Sequence, residues 1–173
     1  MIKQTSLLLA LYLFSFTVIQ ANELPAGIIK PVPFKAPALN ISDIDGESLK
    51  KSEYQGKWFF VHFWASWCGP CRREVPAIEK MWRTMKHENM ALAFINTAED
   101  EDTIFSFLSI HAPELRALMD RDGLVTEQWK PRGLPATYLV DPKGMVRYQA
   151  LGGREWHTPA YLGFLRGLIK QSK

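Results

Sequence analysis

Apolar positions in this chain fall into strand-like runs and helix-like stripes in turn. Trp58-Phe59-Phe60-Val61-His62-Phe63-Trp64 is a nearly unbroken apolar run rich in aromatic residues, which predicts a buried strand. A helix is expected to begin around Cys68 and run to about His87, kinked at Pro76, which has no N–H for the helical ladder. Met90–Asn96 predicts the next strand. Residues Glu101–Ile110 then read as a helix with Ile104, Phe105, Phe107 and Leu108 on its inner face. Leu118-Met119-Asp120 follows, with a turn at Arg121-Asp122-Gly123 and a short helix to Trp129. Ala136–Val140 and Met145–Leu151 predict paired strands joined by the turn signal Asp141-Pro142-Lys143-Gly144. Pro159–Ile169 closes the chain as a helix. This order predicts an α/β sandwich of three layers.

The front of the chain has a different character. Lys3 precedes an apolar run from Leu7 to Ile19, followed by Gln20-Ala21-Asn22-Glu23. This predicts a secretory signal peptide over residues 1–21, with cleavage after Ala21, or alternatively an uncleaved N-terminal membrane anchor. The run is shorter than the ~20 residues that a bilayer span prefers. Either way the folded part is expected outside the cytoplasm, periplasmic or otherwise extracytoplasmic, secreted or anchored to the inner membrane. Residues 22–35, with Pro25, Pro31 and Pro33, read as an extended lead-in. The remaining domain is expected over 36–173, with its globular part starting near Phe34. It opens with a short hairpin over Ala38–Leu49 around Asp45-Gly46 and a single turn at Lys51–Tyr54.

The chain has 173 residues, enough for one domain with a core, and 47% of them are hydrophobic. A net charge of +3 without a basic cluster excludes an electrostatic case for nucleic-acid binding. The acidic run Glu99-Asp100-Glu101-Asp102 reads as complementing the helix that follows it. No internal repeat or low-complexity tract is present.

Two cysteines exist, and they stand at Cys68 and Cys71 with Gly69-Pro70 between them. Half a zinc site has this spacing, but no further cysteine is available to complete one. A structural disulfide closing so short a loop adds little cross-link entropy. Redox chemistry is the favoured reading, with metal binding or an inert pair as the alternatives. The pair falls at a strand-to-helix turn, where free N–H groups and the helix dipole favour a thiolate. Cys68, at the exposed helix start, is the expected nucleophile. Cys71, one turn in, resolves the mixed disulfide.

Phe63-Trp64-Ala65-Ser66-Trp67-Cys68-Gly69-Pro70-Cys71 resembles the active-site segment of thioredoxin-fold proteins. Four further features resemble the TlpA-like branch, which includes the ResA and CcmG types of thiol–disulfide oxidoreductase. These are Ala36-Pro37-Ala38-Leu39 with Asp43-Ile44-Asp45-Gly46, then Gly56-Lys57, Arg72-Arg73-Glu74-Val75-Pro76, and Gly133-Leu134-Pro135-Ala136-Thr137-Tyr138-Leu139-Val140-Asp141. The resemblance covers roughly residues 35–170. It implies a thioredoxin fold (α/β/α, mixed central sheet) with an N-terminal β-hairpin and a central βα insertion between Asn96 and Leu118.

The resemblance also implies roles. Leu134-Pro135 is expected cis and set against the cysteines, leaving the Leu134 backbone free to pair with an extended substrate. Trp67, Gly69 and Pro70 form the rest of that substrate-facing surface. Glu74 is expected to assist proton movement at Cys71. His62 departs from the pattern: plain thioredoxins carry aspartate there and TlpA-like proteins often asparagine. It is either a proton relay under Cys71 or a hydrogen-bonded core histidine. Trp64 is expected to pack under the helix, and Trp58, Trp82, Trp129 and Trp156 to serve in core or hairpin packing. His87, His111 and His157 have no metal spacing.

The expected activity is extracytoplasmic protein-disulfide reduction in redox homeostasis, with no cofactor beyond the Cys68–Cys71 disulfide and no metal. The resemblance implies oxidised proteins as substrates, with cytochrome c biogenesis or copper-centre assembly as settings. It implies a DsbD/CcdA-like membrane thiol transporter as electron donor. Ala136 stands where CcmG-type proteins carry an acidic residue, which weighs against that type. The alternatives are a Cu(I)-binding metallochaperone using both thiolates, a protein-thiol oxidase, a silent interaction module, and a thiol peroxidase, whose motif is missing.

Overall fold

The computed structural model describes residues 23–171. Two short strands, β1 (Ile28–Ile29) and β2 (Phe34–Lys35), are followed by α1 (Lys51–Tyr54), β3 (Trp58–Trp64) and α2 (Gly69–Met85). Then come β4 (Met90–Thr97), α3 (Glu101–His111), β5 (Ala117–Asp120) and α4 (Leu124–Trp129). The fold ends with β6 (Ala136–Val140), β7 (Met145–Leu151) and α5 (Pro159–Gln171). One mixed sheet orders the strands β1-β7-β6-β3-β4-β5, with β2 also on β7.

β3 is central because every one of its residues can be buried. It runs parallel to β4 and antiparallel to β6, pairing Trp64 with Asn96 and Phe63 with Ala136. Alternation divides its side chains between the two faces. Phe60 and Trp64 join Val75, Ile78 and Met81 of α2 and Leu165 and Leu168 of α5 in one core. Phe59, Val61 and Phe63 join Val125, Trp129, Tyr138 and Leu39 in the other. This is the three-layer thioredoxin fold. His62, in step with Phe60 and Trp64, therefore points to the α2 face.

The strands β3, β6 and β7 lie where the apolar pattern places them. α2 starts at Gly69 with Cys68 as its N-cap and continues through Pro76. α3 and β5 are the central insertion, with β5 at the sheet edge beside β4. The N-terminal hairpin is minimal: a Ser42–Ser48 bridge, tied to β5 by an Asp43–Leu118 bridge.

Two expectations change. The lead-in is extended but not separate from the domain. Ile28 and Ile29 pair with Ala150 and Gln149, Phe34 and Lys35 with Val146 and Met145, and Ile28 is buried. The folded unit thus begins before Phe34, because the edge of β7 offers unpaired backbone groups that the lead-in satisfies. Within α3, Ile104, Phe107 and Leu108 are buried, but Phe105 is 66% exposed. It lies one residue off the i, i+3, i+4 stripe of Ile104. The expected signal peptide or anchor over residues 1–21 lies outside the described residues.

Candidate active site

The sequence Ala65-Ser66-Trp67 turns from the buried end of β3 into α2, so Cys68 sits at the helix N-terminus. Cys68 and Cys71 form a disulfide. The Cys71 N–H donates to the Cys68 sulfur at 3.3 Å, which makes Cys68 Sγ the side-chain cap of α2. Capping N–H groups and the helix dipole favour negative charge on that sulfur once reduced. Cys68 retains 7% exposure and Cys71 none. Trp67 beside them is 67% exposed, and Gly69 and Pro70 are also on the surface.

β6 lies antiparallel to β3, with Ala136 opposite Phe63, so the chain entering β6 meets the chain leaving β3 at one sheet end. The Leu134-Pro135 bond there is cis. Leu134 packs against the core cluster that contains both cysteines, and Pro135 is buried.

Glu74 lies three residues after Cys71, on the same helix face. It is 2% exposed. Its Oε1 accepts from Trp156 Nε1 at 2.5 Å and from the Arg154 N–H at 3.0 Å. Its Oε2 faces His62 Nε2 at 3.7 Å, and neither atom has another partner. Loss of water raises the Glu74 pKa to about 8, although the Trp156 and Arg154 hydrogen bonds pull it down. His62 is wholly buried, and desolvation lowers its pKa to about 3. Its Nδ1 is 2.9 Å from Oγ1 of Thr137, its cross-strand neighbour. Its ring stacks on Phe94. His62 is thus a core histidine bonded to Thr137, with its other ring nitrogen facing the α2 carboxyl.

Three contacts around the site had no sequence signal. Trp156, expected only to pack, is the donor to Glu74. Gly153, in the same loop after β7, lies so close to α2 that an added Cβ would meet the Pro70 carbonyl at 3.3 Å. Glu99 is the third. The helix cap belongs to Asp100, which accepts from the Thr103 N–H at 2.8 Å. Glu99 turns away from α3 and accepts from the Ser66 N–H at 2.7 Å, from Ser66 Oγ, and from Asn96 Nδ2 at 2.6 Å. The acidic run is therefore only partly a helix complement, because Ala98 (φ 58°) bends the chain and aims Glu99 at the active-site turn.

A helix-capping dithiol with a buried carboxyl behind it, set at the same sheet end as a cis-proline loop, defines a thioredoxin-fold thiol–disulfide oxidoreductase. The chain belongs to the AhpC/TSA family, whose model matches residues 32–149. It is 26% identical to the thiol-disulfide oxidoreductase ResA of Geobacillus kaustophilus over 85% of this chain and 84% of that protein. It is 27% identical to ResA of Bacillus subtilis over 64% of this chain and 62% of that protein. Among solved structures, it is similar to a Chlorobium tepidum protein described as thiol:disulfide interchange protein DsbE, with TM-score 0.68, 27% identity, and coverage of 83% and 99%. StoA of Bacillus subtilis, 18% identical with TM-score 0.60 over 83% of this chain and 98% of that one, shares the fold.

Proposed function

We propose that this chain reduces protein disulfides outside the cytoplasm, with Cys68 as nucleophile and Cys71 as resolving thiol. The observation that carries this reading is the ordering of the two sulfurs, Cys68 at the helix cap with residual exposure and Cys71 sealed beside Glu74. In the reduced protein, Cys68 thiolate attacks a substrate disulfide. A Cys68–substrate bond forms, the substrate S–S bond breaks, and the released sulfur takes a proton. Cys71 then attacks Cys68, closing the disulfide and releasing the second substrate thiol. Two electrons pass to the substrate.

Glu74 receives the proton that Cys71 sheds. A carboxyl that stays neutral at pH 7 in the disulfide state is what such a transfer leaves behind. His62 completes the relay by presenting Nε2 to that carboxyl. Trp67, Gly69 and Pro70 hold the substrate segment from one side, and the Leu134 backbone of the cis-proline loop pairs with it from the other. The Cys68–Cys71 disulfide is the redox group. A DsbD/CcdA-like membrane dithiol donor restores Cys68 and Cys71 by the reverse exchange. The apolar segment Leu7–Ile19 behind Lys3 supports an extracytoplasmic location, and relatives named ResA support the chemistry. Cytochrome c or copper-centre assembly proteins fit as substrates because their cysteines must be reduced before loading.

The test is the reduction potential of the Cys68–Cys71 pair in thiol buffers. A value near or below about −230 mV supports a reductase, and one of about −120 to −180 mV overturns that direction. Cys71→Ser, unable to resolve, should accumulate substrate mixed disulfides at Cys68, and Cys68→Ser none.

A further inference from the structure

On the α4 face of the sheet a groove of about 660 Å³ lies between the lead-in and the end of α4. Its walls and floor are largely apolar, from Ile29, Phe34, Trp129, Tyr138 and Leu151. Ile29, Phe34 and Leu151 are exposed there. The charged lining residues are Lys130 and Arg132, and no acidic residue lines the groove. Neither cation has an ion-pair partner among the described residues. Lys130 also holds a left-handed backbone (φ 49°) at the end of α4, a place glycine fills more easily.

The groove meets the redox site through the chain itself. Ala136, which lines it, directly follows Pro135. Arg132 precedes Pro135 by three residues, a span of at most about 11 Å. A segment passing the cis-proline loop therefore has the groove as its continuation.

We propose that this groove is a second substrate subsite, which takes the stretch flanking the reacting cysteine of a protein substrate and selects for apolar residues accompanied by an acidic one. Apolar side chains cover the exposed floor, and a carboxylate answers the two unpaired cations. This rests on the disulfide-exchange reading above and adds to it a specificity that the dithiol itself does not carry.

The test uses the reduced full chain and two peptide disulfides with leucine flanks, one carrying aspartates and the other lysines. Cys68 thiolate attacks either peptide, forming the mixed disulfide and releasing one peptide thiol. The acidic peptide is expected to react roughly five-fold faster at low salt, through KM, as two exposed ion pairs allow. That preference should vanish at about 0.5 M salt. In the double variant Lys130→Glu/Arg132→Glu it should invert, with no change in the rate on uncharged hydroxyethyl disulfide. Equal rates on both peptides, or the same preference in the variant, would overturn the proposal while leaving the exchange chemistry standing. A cysteine-free acidic peptide, followed by fluorescence anisotropy, decides the groove even if no disulfide is attacked: tighter binding to the native chain than to the variant supports it, and equal binding overturns it. Sedimentation that shows the groove holding a second copy of the chain would also overturn it.

Discussion

Glu74 Oε2 and His62 Nε2 face each other across 3.7 Å in the core, and neither has a hydrogen-bond partner among the described residues. His62 Nδ1 lies 2.9 Å from Thr137 Oγ1, and the ring tautomer sets which of the two donates. The pair stands on the α2 face of β3, with Glu74 three residues along α2 from the buried Cys71.

The pair predicts a stability plateau in the oxidised protein. For Glu74, the unfolded chain releases its proton near pH 4.5 and the folded chain near 8. Stability is therefore lost as pH rises between those values, by at most about 1.4 kcal/mol per unit. For His62, the unfolded chain binds a proton below 6.5 and the folded chain only below about 3, so stability is lost as pH falls through that window. The two slopes cancel between 4.5 and 6.5. Urea midpoints from pH 3 to 9 should show Glu74→Gln losing the decline above 6.5, and His62→Asn losing part of the decline below 4.5. A Glu74→Gln curve parallel to the native one would mean the carboxyl titrates normally.

Trp156→Phe removes the indole donor to Glu74 but keeps a ring against Phe60 and Tyr161. That bond lowers the carboxyl pKa. Its loss should move the rise of the exchange rate with pH, which follows ionisation of the accepting carboxyl, to higher pH, whereas a packing role alone would lower the rate equally at every pH.

Glu99→Gln keeps an acceptor for the Ser66 N–H and removes the charge. Glu99→Ala leaves the Ser66 N–H and Asn96 without their partner, a loss of about 1–3 kcal/mol. The alanine variant should be clearly less stable and slower against protein disulfides, with the glutamine variant near native in stability. Equal losses in both would assign the effect to charge.

Neighbouring residues of α3 should behave oppositely. Ile104→Ala opens a cavity in the α2-side core and should destabilise by about 2–5 kcal/mol. Phe105→Ala, on the solvent side, should stay within about 0.5 kcal/mol. Thermal melts of the two variants measure the contrast.

Some of this was readable in advance for definite reasons. β3 is apolar at six of its seven positions, and Asp141-Pro142-Lys143-Gly144 marks the turn between β6 and β7, so periodicity located those strands. Phe105 reads as inward from the pattern because an apolar cluster of four on a helix is wider than the stripe that becomes buried. The lead-in looked independent because two-residue strands carry no period of their own; they exist only where β7 offers an edge.

The cysteine spacing, the proline before β6 and the aromatic strand are local features, and the chain by itself determined the dithiol, its helix-capping position and the order of the elements. Partners distant in sequence were decided by tertiary structure. Trp156 reaches Glu74 across 82 residues, His62 reaches Thr137 across 75, and Glu99 reaches Ser66 across 33. Strand register sets the His62–Thr137 contact, and the packing of two loops on the start of α2 sets the others. A side chain's own identity states what bond it can make, but only the sheet order and the fold of those loops state which group comes within reach of it.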